Sequence, residues 1–164
     1  MKILFVCTGN TCRGPIAAAL YHKASEKAGR HDEVISRGTM GGLEMSKVIG
    51  DHCLSSIVMR QHYDIDVGAH LPKSISGDDI VWADLILTMT KHHVTELRQT
   101  FQNRPELHLD AKLHTFGNYL GLQVSNIEDP FGKSFEVYLQ EAKQLESWTK
   151  LLAEKLNSKE AKLN

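Results

Sequence analysis

A cysteine and an arginine lie six positions apart near the N-terminus. Cys7 is followed by five residues and then by Arg13. A thiolate is a strong nucleophile, and backbone N–H groups, a helix N-terminus and a guanidinium all favour it over the thiol. The guanidinium also binds two phosphoryl oxygens at once. The spacing therefore predicts a nucleophilic Cys7 in a phosphate-binding loop, which consists of Thr8, Gly9, Asn10, Thr11, Cys12 and Arg13.

The residues that flank this loop predict a strand before it and a helix after it. Residues 2–7 form a short apolar run typical of a buried strand, and Pro15 suits the first turn of a helix. Backbone N–H groups at such a junction converge on an anion. A P-loop that binds a nucleoside triphosphate is excluded, because Pro15 and Ile16 stand where that motif requires Lys and then Ser or Thr.

Apolar patterns further along the chain alternate between strand and helix. They predict strands over 33–36, 83–89 and 107–116, and helices over 16–28, 46–62, 90–101 and 135–156. This alternation indicates a parallel sheet covered on both faces, with ligands at the carboxyl ends of its strands. We expect residues 1–157 to form one domain and residues 158–164 a polar tail.

Composition restricts the class of partner. The 164 residues include 19 Lys and Arg and 20 Asp and Glu, for a formal net charge of −1. This balance speaks against nucleic acid or an anionic membrane as a partner. The apolar run at residues 3–6 is shorter than the core of a signal peptide, and nothing approaches the roughly 20 apolar residues of a membrane span. We therefore expect a cytoplasmic protein whose three cysteines are free thiols.

Two segments together resemble one enzyme family. Val6-Cys7-Thr8-Gly9-Asn10-Thr11-Cys12-Arg13 is similar to the signature of the low-molecular-weight protein-tyrosine-phosphatase family, and Ile127-Glu128-Asp129-Pro130-Phe131-Gly132 is similar to its acid loop. Size, motif order and element order agree over almost the whole chain. The resemblance implies an α/β fold with a four-stranded parallel sheet flanked by helices. It also implies a phosphorylated protein as substrate, and no cofactor or metal.

The resemblance assigns a role to each of three residues. Cys7 is the nucleophile that forms a phosphocysteine, Arg13 clamps the phosphate, and Asp129 is the general acid and then the general base. Elementary chemistry agrees with these roles, because the leaving group needs a proton that Asp129 can supply. Pro130 restricts the backbone of Asp129 and favours a loop there.

Supporting roles also follow from the resemblance. Asn10 is expected to stiffen the loop through Ser36. Cys12 either packs in the interior or acts as a redox thiol that forms a reversible disulfide with Cys7. In contrast to the family, Gly14 stands where Ser or Thr is usual, and its missing hydroxyl predicts a weakened nucleophile with a raised pKa of Cys7.

Four residues outside these motifs receive less definite predictions. Cys53 falls on the inner face of the helix expected over 46–62, so it is expected in the core. His92 and His93 are expected at the solvated start of a helix. His70 either supports the loop or lies at the surface.

Two positions bear on the substrate. Tyrosine-directed members commonly carry a larger aliphatic residue in place of Thr11 and two aromatics after Asp-Pro, whereas here Phe131 is followed by Gly132. These features resemble the bacterial protein-arginine-phosphatase branch. A Thr hydroxyl and methyl group can narrow the pocket and contact a polar guanidino group. We therefore expect phosphoarginine as the substrate, with Thr11 and Phe131 setting specificity, and phosphotyrosine as the alternative.

Two further functions are weaker alternatives. An arsenate reductase of similar fold would carry two more redox cysteines near residues 80–89, and that segment has none. A phosphate-binding protein without turnover would lack the nucleophile or the acid, and both Cys7 and Asp129 are present. Gly14 is the observation that favours this second alternative.

Overall fold

The computed structural model describes residues 1–40 and 47–160, with side chains up to residue 158. Four parallel strands form one sheet, as the family resemblance implied, and their order is β2-β1-β3-β4. The strands are β1 (Lys2–Cys7), β2 (Glu33–Gly38), β3 (Leu85–Thr88) and β4 (Leu113–Thr115). The helices are α1 (Arg13–Lys27), α2 (Leu54–Tyr63), α3 (Gly77–Trp82), α4 (Lys91–Thr100), α5 (Phe116–Leu120) and α6 (Phe135–Glu160).

Both faces of the sheet are covered by helices. Along β1, Ile3 and Phe5 face the core formed with α1, α2 and α6, whereas Leu4 and Val6 face the core formed with α3 and α4. All four side chains are fully buried. A strand buried on both faces reads as a continuous apolar run, which is why residues 2–7 show no alternation.

The strand order places the loop after β1 at a switch in the direction of the sheet. β1 pairs with β2 on one side and with β3 on the other, so the chain winds away from β1 in both directions. Parallel sheets bind ligands in the crevice beside such a strand. The carboxyl end of β1 is Cys7.

The helix expected over residues 46–62 is shorter in the structure. α2 comprises Leu54–Tyr63, and residue 46 lies outside the described residues. The N–H groups of Ile49 and Gly50 donate instead to the carbonyls of His70 and Gly68, both at 2.9 Å. The backbone of Gly50 also has φ +85°, which a right-handed helix excludes.

The strand expected over residues 107–116 is also mostly wrong. β4 has only three residues, and two short 3-10 turns, Pro105–Leu107 and Leu109–Ala111, precede it. His108 between these turns has a left-handed φ of +47°, which breaks an extended run. α5 begins directly after β4 and was not expected.

The last helix continues further than its apolar pattern. α6 comprises 26 residues and ends at Glu160, so residues 158–160 of the expected tail are helical and residues 161–164 lie outside the described part. No helix in the described part is long and apolar enough to cross a bilayer.

A carboxyl group is buried on the core side of α6. Glu141 is 6% exposed, and neither of its carboxyl oxygens has a hydrogen-bond partner among the described residues. Burial raises the pKa of Glu141 to about 8, although the Arg13 guanidinium acts in the opposite direction. The folded protein therefore keeps this carboxyl protonated at neutral pH, whereas the unfolded chain ionises it.

This difference predicts a pH-dependent stabilisation by Glu141→Gln. The pKa of Glu141 is higher in the folded protein than in the unfolded chain. Above pH about 4.5 the unfolded chain therefore ionises this carboxyl while the folded protein does not, which lowers the free energy of unfolding. This loss reaches its limit near pH 8. A neutral amide removes it. We expect a gain on the order of 3 kcal/mol at pH 7 and none at pH 4, by urea unfolding.

The exposed Glu154 lies on the same helix and provides the control Glu154→Gln, which should show no such gain. An equal effect of Glu141→Gln at pH 4 and pH 7 would contradict the assignment of a protonated carboxyl.

Candidate functional site

The loop after β1 adopts a strained local conformation around the sulfur of Cys7. α1 begins at Arg13, and Asn10 has a left-handed φ of +55°. This value is uncommon outside glycine, although Asn tolerates it better than most residues. As a result, the backbone N–H groups of Asn10 and Gly14 both hydrogen-bond to the Cys7 sulfur.

The side chain of Asn10 holds this conformation from inside the protein. Its Nδ2 donates to the Ser36 hydroxyl at 2.9 Å, so the structure brings together the pair that the resemblance implied. Its Oδ1 accepts the backbone N–H of Lys73 at 3.0 Å and lies 2.9 Å from Nε2 of His70. His70 therefore contacts Asn10, the residue that holds the loop. The sequence had left open whether His70 supports the loop or lies at the surface. Burial and the nearby Arg37 lower the pKa of His70.

Arg13 connects the loop to the distant acid segment. Its Nη2 lies 2.5 Å from Oδ2 of Asp129, and its Nη1 donates to the carbonyl of Ile127 at 3.1 Å. The guanidinium is buried, whereas the Asp129 side chain is 47% exposed. The backbone N–H of Phe131 also donates to Asp129 Oδ1 at 3.1 Å. The structure thus brings Cys7, Arg13 and Asp129 together at one edge of the sheet.

Opposing effects act on the Cys7 thiol. Burial raises its pKa, and the Asp129 carboxylate adds to this effect. The Arg13 guanidinium and the N–H groups of Gly14 and Asn10 lower it, but the net direction is upward. This direction agrees with the expectation drawn from Gly14, although its main cause is burial rather than the missing hydroxyl.

A cavity of about 380 Å³ opens above this loop. Cys7, Thr8 and Arg13 line it, together with the two expected specificity residues, Thr11 and Phe131. The Phe131 side chain is 76% exposed, so it is available for contact with a ligand. A larger groove of about 630 Å³ lies between α1 and α6, but it contains no residue of the loop and carries none of this chemistry.

Three further residues line the cavity, although the sequence did not predict them there. Cys53 was expected on the inner face of a helix, in the protein core. It lies instead just before α2, half-buried, with its sulfur 3.2 Å from the Ser55 hydroxyl. Ile49 belongs to the same non-helical segment. Tyr138 comes from α6, and no local pattern could have placed it here.

Cys12 is held by its surroundings as a protonated thiol. Its sulfur lies 3.5 Å from the Tyr138 hydroxyl and 3.6 Å from the Thr11 hydroxyl. Burial raises the pKa of Cys12 to about 11. A disulfide with Cys7 forms from a thiolate, so this environment slows the step, and the redox role of Cys12 stays a prediction.

The two adjacent histidines at the start of α4 behave differently. His92 is exposed as expected, but the same expectation is wrong for His93, which is 2% exposed. His93 Nε2 lies 2.9 Å from the Thr8 hydroxyl. The sequence offered one signal for a structural role of His93. Thr90, three positions earlier, forms a capping box with it at the start of α4.

Comparison with known proteins identifies the family. The model of low molecular weight phosphotyrosine protein phosphatases matches residues 2–162. The chain belongs to this family. It is accordingly a cysteine-dependent protein phosphatase of low molecular weight, in agreement with both sequence motifs.

Relatives of this phosphatase carry two different substrate names. The chain is 30% identical over 156 residues to the protein-arginine-phosphatase of Bacillus subtilis, a match that covers 95% of this chain and 97% of the relative. It is 33% identical over 142 residues to a low molecular weight protein-tyrosine-phosphatase of Staphylococcus epidermidis, covering 85% and 88%.

A solved structure shows the same fold. The arginine phosphatase from Geobacillus stearothermophilus superposes with a TM-score of 0.80 at 32% identity, covering 99% of this chain and 97% of that one. Overall identity does not separate the two substrate classes, because relatives of both kinds are about equally similar.

The surroundings of Gly14 predict the effect of restoring a hydroxyl. A Cβ at Gly14 would lie 3.2 Å from Cys7 Sγ and from Asn10 Nδ2, and 3.3 Å from Ser36 Cβ, so a small displacement is needed. A hydroxyl that donates to the thiolate contributes about 1.5–3 kcal/mol. We expect Gly14→Ser to lower the pKa of Cys7, measured by the pH dependence of alkylation, and to raise turnover above that of the wild type.

Gly14→Ala is the matched control, because it adds the crowding without the hydroxyl. It should neither lower the pKa of Cys7 nor raise turnover. Turnover of Gly14→Ser at or below the wild-type rate would contradict the role given to the hydroxyl.

Proposed function

We propose that this phosphatase hydrolyses phosphoarginine in proteins, with Cys7 as nucleophile, Arg13 as phosphate clamp and Asp129 as general acid and base. The observation that carries the catalytic roles is the 2.5 Å contact between Arg13 and Asp129 beside the Cys7 sulfur. Residues far apart in the sequence supply the nucleophile, the clamp and the acid to one cavity. Phosphoryl transfer needs these three functions in one place.

The reaction proceeds in two steps. The Cys7 thiolate attacks phosphorus, a sulfur–phosphorus bond forms, and the bond to the leaving group breaks while Asp129 donates a proton to it. A water molecule then attacks the phosphocysteine, Asp129 accepts a proton from it, and the sulfur–phosphorus bond breaks. Inorganic phosphate leaves, and both side chains return to their starting states.

Arg13 has a second task in this scheme. Its guanidinium pairs with Asp129, so a phosphoryl group that binds Arg13 competes with the carboxylate for the same donors. Binding of phosphate therefore frees Asp129 from Arg13 and brings a negative charge close to it. Both effects favour the protonated acid that the first step needs.

Two residues at the mouth of the cavity support phosphoarginine as the substrate. Thr11 lines the cavity, and we propose that its hydroxyl contacts the polar guanidino group. Asp129 is half-exposed above the clamp, and its carboxylate can hydrogen-bond the nitrogens of that group. Relatives named protein-arginine-phosphatase match nearly the full length of the chain.

Phosphotyrosine is the second candidate, supported by the aromatic residues of the cavity. Phe131 is exposed at the rim and Tyr138 lies in the wall. An aromatic ring at this rim can stack on a phenol ring. We rank this candidate below phosphoarginine because a single aromatic follows Pro130.

The first experiment compares phosphate release from matched phosphoarginine and phosphotyrosine peptides. Cys7→Ser serves as the blank, because it removes the thiolate. We expect Cys7-dependent release with the higher kcat/KM for phosphoarginine. A preference for phosphotyrosine would reverse the substrate assignment and leave the catalytic roles in place, whereas no release from either peptide would overturn both.

Replacement of Thr11 tests the basis of the substrate assignment. Thr11→Ile removes the hydroxyl and supplies a larger apolar surface, so the kcat/KM ratio should shift toward phosphotyrosine by about 10-fold or more. The matched control is Thr11→Ser, which keeps the hydroxyl and should keep the preference for phosphoarginine. An unchanged ratio in Thr11→Ile would remove Thr11 from the specificity site.

A further inference from the structure

His93 is fixed in one tautomer by the backbone at the start of α4. Its Nδ1 accepts the N–H of Thr90 at 3.2 Å and lies 3.0 Å from the Thr90 hydroxyl. A backbone N–H can only donate, so Nδ1 must offer a lone pair. In a neutral imidazole the proton is then on Nε2.

The Nε2–H of His93 is directed at the hydroxyl of Thr8. The two atoms are 2.9 Å apart, so the ring donates and the Thr8 oxygen accepts. Arg13 Nη2 donates to the same oxygen at 3.4 Å. A hydroxyl has two acceptor sites and one proton. With both acceptor sites engaged by His93 and Arg13, the Thr8 hydroxyl can only donate to a further partner.

We propose that His93 is a positioning residue that makes the Thr8 hydroxyl a hydrogen-bond donor to the phosphoryl group held by Arg13. The inference rests on the proposed function, since it takes Arg13 as the phosphate clamp. Thr8 lines the cavity beside Cys7 and Arg13. The same Nη2 atom of Arg13 contacts both Thr8 and Asp129, so a phosphoryl oxygen bound there lies within reach of the hydroxyl.

The electrostatic surroundings keep His93 suited to this task. Burial and the charges of Arg13 and His92 lower its pKa to about 4, with Asp129 acting in the opposite direction. The ring is therefore neutral at neutral pH. A protonated ring would carry a hydrogen on Nδ1 facing the N–H of Thr90 and would lose that contact. A donor oriented before the substrate binds needs no reorganisation when charge develops on the phosphoryl oxygens.

The first part of the test removes the hydroxyl itself. Thr8→Val keeps the shape of the side chain, and we expect it to lower kcat/KM for p-nitrophenyl phosphate about 10- to 100-fold and to weaken the binding of inorganic phosphate, measured by calorimetry, about 10-fold. Thr8→Ser should recover most of both losses. Wild-type phosphate affinity in Thr8→Val would overturn the proposal.

A matched pair of variants separates positioning from helix capping. In His93→Gln the amide can still donate to Thr8, whereas in His93→Asn the shorter side chain can cap Thr90 but cannot reach Thr8. We expect His93→Asn to bind phosphate about 10-fold more weakly than His93→Gln, and this difference to vanish in the Thr8→Val background. If His93→Asn equals or exceeds His93→Gln, His93 only caps α4 and the proposal is wrong.

Two controls complete the design. His92→Leu replaces the exposed neighbour and should leave phosphate affinity and thermal stability unchanged. Arg13→Ala tests the proposed function separately. If Arg13→Ala abolishes phosphate binding and Thr8→Val does not weaken it, only this inference fails. If Arg13→Ala binds phosphate like the wild type, the clamp itself is wrong, and the inference fails with it.

Discussion

The hydrogen bonds of the buried Asn10 side chain are the constraint on which the site depends. Asn10 has a left-handed backbone, a conformation that costs about 1 kcal/mol or more outside glycine. Its bonds to Ser36, His70 and the backbone of Lys73 offset that cost. Because the loop turns at this residue, the N–H groups of Asn10 and Gly14 reach the Cys7 sulfur. The arrangement of the loop around the Cys7 sulfur therefore depends on residues from other segments of the chain.

Burial strengthens the electrostatic interactions of this site and also raises the free energy of its charged groups. Because the Arg13 guanidinium is shielded from water, its electrostatic interactions with the Cys7 sulfur and the Asp129 carboxylate are strong. The same burial raises the pKa of Cys7, and it keeps the Glu141 carboxyl protonated behind the loop. The groups that act on the Cys7 sulfur, Arg13 and the N–H groups of Asn10 and Gly14, are all hydrogen-bond donors. Such donors are the groups that the proposed binding of a phosphoryl group requires.

The sequence predicted those parts of the fold and site that local patterns encode. The apolar run of β1, the spacing from Cys7 to Arg13 and the acid segment at Asp129 are contiguous signals. The structure places β1 inside the expected sheet and brings Cys7, Arg13 and Asp129 together at the carboxyl end of β1. Contacts between distant segments have no such signal. The burial of His93 was missed because its contact with Thr8 joins distant segments, and the only signal was the capping pair that it forms with Thr90. Cys53 was assigned to a helix that begins one residue later, because the backbone hydrogen bonds of Ile49 and Gly50 to His70 and Gly68 replace helical ones.

The proposed function divides the site into two parts with different chemical tasks. In the proposed mechanism, Cys7 and Arg13 act on the phosphoryl group alone, so their tasks are the same for every phosphorylated side chain. Thr11 and Phe131 also line the cavity, and we propose that they meet the rest of the substrate. A change at the mouth can therefore alter the substrate while the reaction stays the same. On this proposal, relatives about equally similar to this chain can carry the names of an arginine phosphatase and a tyrosine phosphatase.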